Sequence, residues 1–139
     1  MGASVADEIN PKHYAGNYQP IDLIDKLHIS FCGGNAITYI SRAGRKEGES
    51  RIVDLDKALW YLNHLIGLEK DQLDKIMSKK TLALVVDECN KLAKSQHLAF
   101  QQKGAVSAIA GATFEHGQPA ISCYKQADLL IHEILNADA

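Results

Sequence analysis

Apolar residues recur along this chain at three- and four-residue steps and never settle into the alternation that a strand requires. Leu55, Ala58, Leu59, Leu62, Leu65 and Ile66 fall on one stripe about 120° wide, the core face of a helix that opens near Ile52. Leu82, Val85, Val86, Cys89, Leu92, Ala93 and Phe100 share one side of another helix, whose opposite side carries Asp87, Glu88, Lys91 and Lys94. These periods predict an all-α fold, a compact bundle of about four to five helices with no sheet.

Prolines and glycines punctuate the pattern. Pro20 suits the first residue of a helix that runs through about His28, with Ile21, Leu23, Ile24 and Leu27 at helical spacing. A further helix is expected from about Phe31 to Ala43, stopped by Gly44. Gly33 and Gly34 near its start cost about 1 kcal/mol each against alanine, so they imply close packing or a backbone that faces a ligand. Beyond Gly67 the pattern thins, and the boundary stays open to Lys80. Lys103 to Gln118 holds Gly104, Gly111 and Gly117 among small residues and reads as a mobile loop or a broken helix. Pro119 starts the last helix, which buries Tyr124, Ala127, Leu130, Ile131, Ile134 and Leu135. A chain of 139 residues suits one domain, 1–139, with a polar leader or flap to Gln19.

Composition excludes several classes. With 46% apolar and 23% charged residues the chain should fold, and a net charge of −2 gives no general attraction to nucleic acid, so no direct nucleic-acid binding is expected. Apolar runs are far shorter than the roughly 18 residues of a membrane span, and Met1 to Asn10 lacks a signal-peptide core, which predicts a cytoplasmic protein. Cys32, Cys89 and Cys123 form no C-x-x-C pair and read as reduced core residues. Six histidines make no H-x-x-x-H pattern, no phosphate-binding G-x-x-x-x-G-K-[ST] loop is present, and no metal or cofactor site is evident.

The segment Asn35 to Lys46 carries the most chemistry. On a helical wheel Asn35, Tyr39 and Arg42 lie within about 60° of one another, opposite Ala36, Ile37 and Ile40. With Arg45 and Lys46 at the helix end, this face has the guanidinium and ammonium groups that hold a phosphate. The same cations would equally complement the helix macrodipole on an ordinary surface, and spacing does not separate the two readings. On the next helix Asp54, Lys57 and Tyr61 border the apolar stripe, and Asp54 is placed to orient Arg42 or Arg45 or to serve as a first-turn carboxylate. Trp60 points away from that stripe, which calls for a second packing surface, either the C-terminal helices or another subunit, or else a base-stacking platform.

Asn10-Pro11-Lys12-His13-Tyr14, Gly34-Asn35-Ala36-Ile37, Tyr39-Ile40, Arg42-Ala43-Gly44-Arg45-Lys46 and Asp54-Leu55 with Lys57-Ala58 and Trp60-Tyr61-Leu62 stand in an order that resembles a small phage nucleotide-kinase-like family lacking a P-loop. The resemblance covers about residues 9–66; residues 67–139 form a helical second half of unassigned role. It implies an oligomeric phage protein acting on nucleotides in the infected host cell. The implied nucleotide-binding residues are His13, Tyr14, Asn35, Tyr39, Arg42, Lys46, Asp54 and Lys57, beside the Arg45 read above. No catalytic residue is assigned, and magnesium would enter only through bound phosphates. Thr38 departs from the lysine usual in the family, and the loss of a cation weakens the case for catalysis more than for binding. Three functions follow as expectations: a nucleoside monophosphate kinase, a binder that sequesters a nucleotide such as a host immune signal, and a structural adaptor for a host protein.

Overall fold

The computed structural model describes residues 17–45 and 50–137. His13, Tyr14 and Lys46 lie outside the described residues. Six helices occupy the rest: α1 Pro20–Leu27, α2 Phe31–Arg42, α3 Arg51–Glu69, α4 Lys79–Ser95, α5 Phe100–Ala112 and α6 Gln118–Ala137. Among the described residues there is no sheet, only one antiparallel bridge between Lys75 and His116. The all-α expectation holds, with six helices in place of four to five.

Local chemistry explains most of the helix ends. Ser30, Ser50 and Ser78 occupy the N-caps of α2, α3 and α4, and their hydroxyls accept from the backbone N–H of Gly33, Ile52 and Thr81. At α1, Pro20 needs no N–H partner and Asp22 accepts from the Gln19 N–H at 2.8 Å. Gly44, at φ 81°, turns the chain away after α2. The start of α6 is capped from elsewhere in the chain: Glu69 Oε2 accepts from Gly117 N and Asp74 Oδ1 from Gln118 N.

The extra helix is α5, where the sequence suggested a mobile loop or broken helix. Its small residues are packing residues. Ala105, Val106, Ile109, Ala110 and Ala112 are buried, and α5 packs against α2, α4 and α6 at the centre of the molecule. Gly104 permits close approach to α6, since a Cβ there would lie 2.9 Å from Leu130 Cδ1. The helix expected to reach Phe100 ends at Ser95, and Phe100 opens α5 with 84% of its surface exposed. Gly33 and Gly34 serve packing as well, because added Cβ atoms would meet Ile29 and Ile24 side chains.

One cluster of buried side chains joins all six helices, among them Leu23, Ile37, Leu62, Leu92, Ile109 and Ile131. Each such aliphatic side chain contributes about 1.5–3 kcal/mol through removal from water. Cys89 is buried, Cys32 and Cys123 are half-buried, and all three are unpaired thiols. No helix is long and apolar enough among the described residues to cross a membrane. Trp60 is 64% exposed, so the C-terminal helices do not cover it.

Candidate functional site

The C-terminal end of α2 is held open to solvent on one side and fixed on the other. Gln102 of α5, itself buried, donates from Nε2 to the carbonyls of Ile40 and Ala43 at 3.0 and 3.3 Å, satisfying two of the carbonyls that a helix end leaves unpaired. The residues between and just beyond, Arg42 and Arg45, are thereby presented from a rigid base.

Arg42 is held by both Asp54 and Tyr39. Its Nε donates to Asp54 Oδ1 at 3.2 Å, and its guanidinium carbon sits 4.8 Å from the centre of the Tyr39 ring. It also lines a cleft of about 470 Å³. Asp54 lies in the first turn of α3, fully buried, and its Oδ2 has no hydrogen-bond partner. Of the two arginines that Asp54 was placed to orient, the structure selects Arg42.

Around Tyr39 the predicted residues converge. Lys57 Nζ stands 5.3 Å from its ring centre, and the Tyr61 ring stacks on it at 6.0 Å. The tyrosine thus has two cations near its negative face, an arrangement that orders both side chains. Asn35, half-buried, lies one turn earlier on the same side of α2.

Of this group the cleft takes in only Arg42; Asn35, Tyr39, Asp54 and Lys57 do not line it. Its walls are Gln19 and Pro20 at the entry to α1, Thr38, Ser41, Arg42 and Arg45 from the end of α2, and Gln96 after α4. Thr38 and Ser41 donate their hydroxyl protons to their own helix, to the carbonyls of Gly34 and Ile37 at 2.8 Å each. Arg42 and Arg45 are the charged residues of the cleft lining. Arg45 Nη1 donates to Gln96 Oε1, and Gln96 Nε2 donates to the Tyr18 carbonyl at 2.7 Å. Gln19 Nε2 is buried without an acceptor, a donor left unsatisfied in a wall of the cleft.

A polar network fastens this wall. The Tyr18 N–H donates to Ser95 Oγ at 2.7 Å, and its hydroxyl donates to Glu88 Oε1 at 3.0 Å. The Lys91 ammonium, 2.8 Å from Glu88, and the Tyr18 hydroxyl together hold the Glu88 carboxyl below its ordinary pKa, against the effect of burial. Burial and the neighbouring Glu88 push the Tyr18 phenol up.

A family model matches residues 9–63. Its description is a protein of unknown function (DUF3310). Within the described residues, the matched segment takes in α1, α2 and most of α3, and therefore Tyr39, Arg42, Arg45, Asp54 and Lys57. No curated protein and no solved structure matches the chain.

Sequence spacing missed the far wall of the cleft. Gln96 is 51 residues from Arg45, and a glutamine after a helix carries no signal of its own. Tyr18 and Gln19 fell inside the stretch read as a leader. Among the described residues no group of three His, Cys, Asp or Glu side chains is arranged to hold a metal ion.

Proposed function

We propose that the chain binds a phosphate-bearing nucleotide, with the phosphate between Arg42 and Arg45. The observation that carries this reading is that both arginines line one cleft of nucleotide size, about 470 Å³. Arg42 is preorganised by Asp54 and Tyr39, so little side-chain entropy is lost when an anion arrives. The resemblance to phage nucleotide-kinase-like proteins supports the same ligand class.

Holding is favoured over conversion. A kinase needs a group that positions or deprotonates the acceptor hydroxyl, and Asp54, the carboxylate beside Arg42 among the described residues, is buried and committed to that arginine. Sequestration of a nucleotide signal in an infected cell is therefore the preferred role, with phosphoryl transfer the alternative. Incubation with a panel of mono-, di-, tri- and cyclic nucleotides, with the free pool compared before and after heat denaturation, tests both. Depletion followed by recovery of the intact nucleotide is the expected result. A chemically altered nucleotide would identify an enzyme, and no depletion of any nucleotide would remove the reading in favour of an adaptor.

A further inference from the structure

Among the described residues, nothing covers the outward face of α3. Val53, Trp60 and Leu68 are 43%, 64% and 56% exposed, and Phe31 beside them is 79% exposed. These are not scattered surface residues. The Trp60 ring meets Tyr61 edge-on at 5.0 Å, Tyr61 meets Phe31 edge-on at 6.4 Å, and His64 stacks on Trp60 at 5.9 Å. An ordered aromatic surface results, and contiguous surfaces of this kind mark binding sites on soluble proteins.

We infer that this face pairs with the same face of a second copy, with the two α3 helices antiparallel across a two-fold axis at Trp60. Three features single out a second copy as the occupant. The residues are self-complementary about Trp60: an antiparallel partner sets Val53 level with Gly67, Asp56 level with His64 and Lys57 level with Asn63. Like charges are kept apart, because the two copies of Asp56 lie about 12 Å from one another along the helix direction. The face carries one acid and one base, so it offers no net field to a nucleic acid or a charged lipid surface.

Gly67 supplies the independent observation. It is exposed near the end of a 19-residue helix, and a Cβ added there would meet nothing within 4 Å. Glycine is among the least favourable residues in a helix, and packing among the described residues gives no reason for it. Against a second copy it gives the reason: it leaves room for Val53 of the partner helix and lets the two helices approach within the usual 8–10 Å or so of packed pairs. The pairing does not depend on the nucleotide reading, although Lys57 lies at the edge of both surfaces.

A four-turn seam with its flanking Phe31 is at the small end of specific interfaces, so the dimer should form in the micromolar range. Sedimentation equilibrium of the full chain is expected to show twice the monomer mass at high micromolar concentration. Emission from Trp60, the single tryptophan, should move to shorter wavelength as the dimer forms. Trp60→Glu sets two carboxylates against each other on the axis and should give a monomer with unchanged helix content. Gly67→Gln should raise the dimer Kd about tenfold or more while the monomer melts at the same or a higher temperature. That opposite movement of assembly and stability is not expected of a residue with a purely structural role. A wild-type chain that stays monomeric throughout the range overturns the inference, as does any oligomer that both substitutions leave intact.

Discussion

Arg42→Ala tests how the site is built. Asp54 is fully buried, its Oδ1 accepts from Arg42 Nε at 3.2 Å, and its Oδ2 has no partner. Removing Arg42 leaves a carboxylate inside the molecule without that counter-charge. Breaking a buried pair on one side costs about 3–5 kcal/mol. The Arg42 side chain is 37% exposed, so solvent screens part of the interaction, and a loss of about 3 kcal/mol, the low end of that range, is expected. Asp54→Asn removes the charge instead and leaves an amide able to hydrogen-bond; it should cost only about 1 kcal/mol. The decisive variant is the double one, Arg42→Ala with Asp54→Asn, which should be more stable than Arg42→Ala alone by at least about 1 kcal/mol, because the uncompensated charge has gone. Urea unfolding followed by circular dichroism at neutral pH measures all four corners of the cycle. If the double variant is as unstable as the sum of the two single ones, Asp54 is not braced by Arg42, and the preorganisation claimed for the phosphate site is wrong.

Two other predictions concern the frame around the cleft. Because Lys91 and Tyr18 hold the folded Glu88 carboxyl below its ordinary value of 4.5, that interaction stabilises the fold above about pH 4.5 and is lost as pH falls through the lower folded value. Glu88→Gln should therefore flatten the dependence of melting temperature on pH on the acid side, and calorimetry between about pH 3 and pH 7 that finds the same slope in both proteins would remove Glu88 as its source. Gly117 sits at φ 69°, and a Cβ there would press on Asp74 Oδ1 and lie 2.8 Å from the Gln72 carbonyl. Gly117→Ala should cost about 2 kcal/mol in chemical denaturation by straining the cap of α6, and a loss within the ordinary surface range would contradict that geometry.

What the sequence disclosed and what it concealed have physical causes. The stripe on α3 was legible because one side of that helix is core and the other water, so burial is written into the period. On α4 the period misled in part: Leu82 and Val86, expected on the core side, are each 47% exposed, and Glu88, expected on the solvent side, is buried because Tyr18 and Lys91 satisfy its carboxylate. The central helix α5 was not legible, because burial there selects for small side chains: Gly104 and Ala105 look like loop residues to a local rule but are the condition for close packing between α4 and α6. At the site, the shared face of Asn35, Tyr39 and Arg42 followed from helix geometry, and the pairing of Arg42 with Asp54 was one of the options that spacing allowed. Gln96 and Gln19 were invisible because they join the cleft only through tertiary contact. Trp60 was conspicuous in the sequence as a large aromatic off its core stripe, and its exposure in the fold leaves the same question for a partner to answer.

The central claim is that Arg42 and Arg45 hold a nucleotide phosphate, and Arg45 is the cleaner probe. It is exposed and donates to the neutral amide of Gln96, so Arg45→Ala removes a charge from the cleft without stranding a buried one. Isothermal calorimetry of the wild-type chain and Arg45→Ala should be run with the nucleotide that the depletion panel identifies, beside thermal melts of both proteins without ligand. Loss of a charge-assisted hydrogen bond to phosphate is worth about 1.5–3 kcal/mol, so affinity should fall by roughly 10- to 150-fold while the ligand-free melting temperature stays within about 2 °C. Equal affinity in the two proteins would place the phosphate elsewhere and contradict the assignment of this cleft.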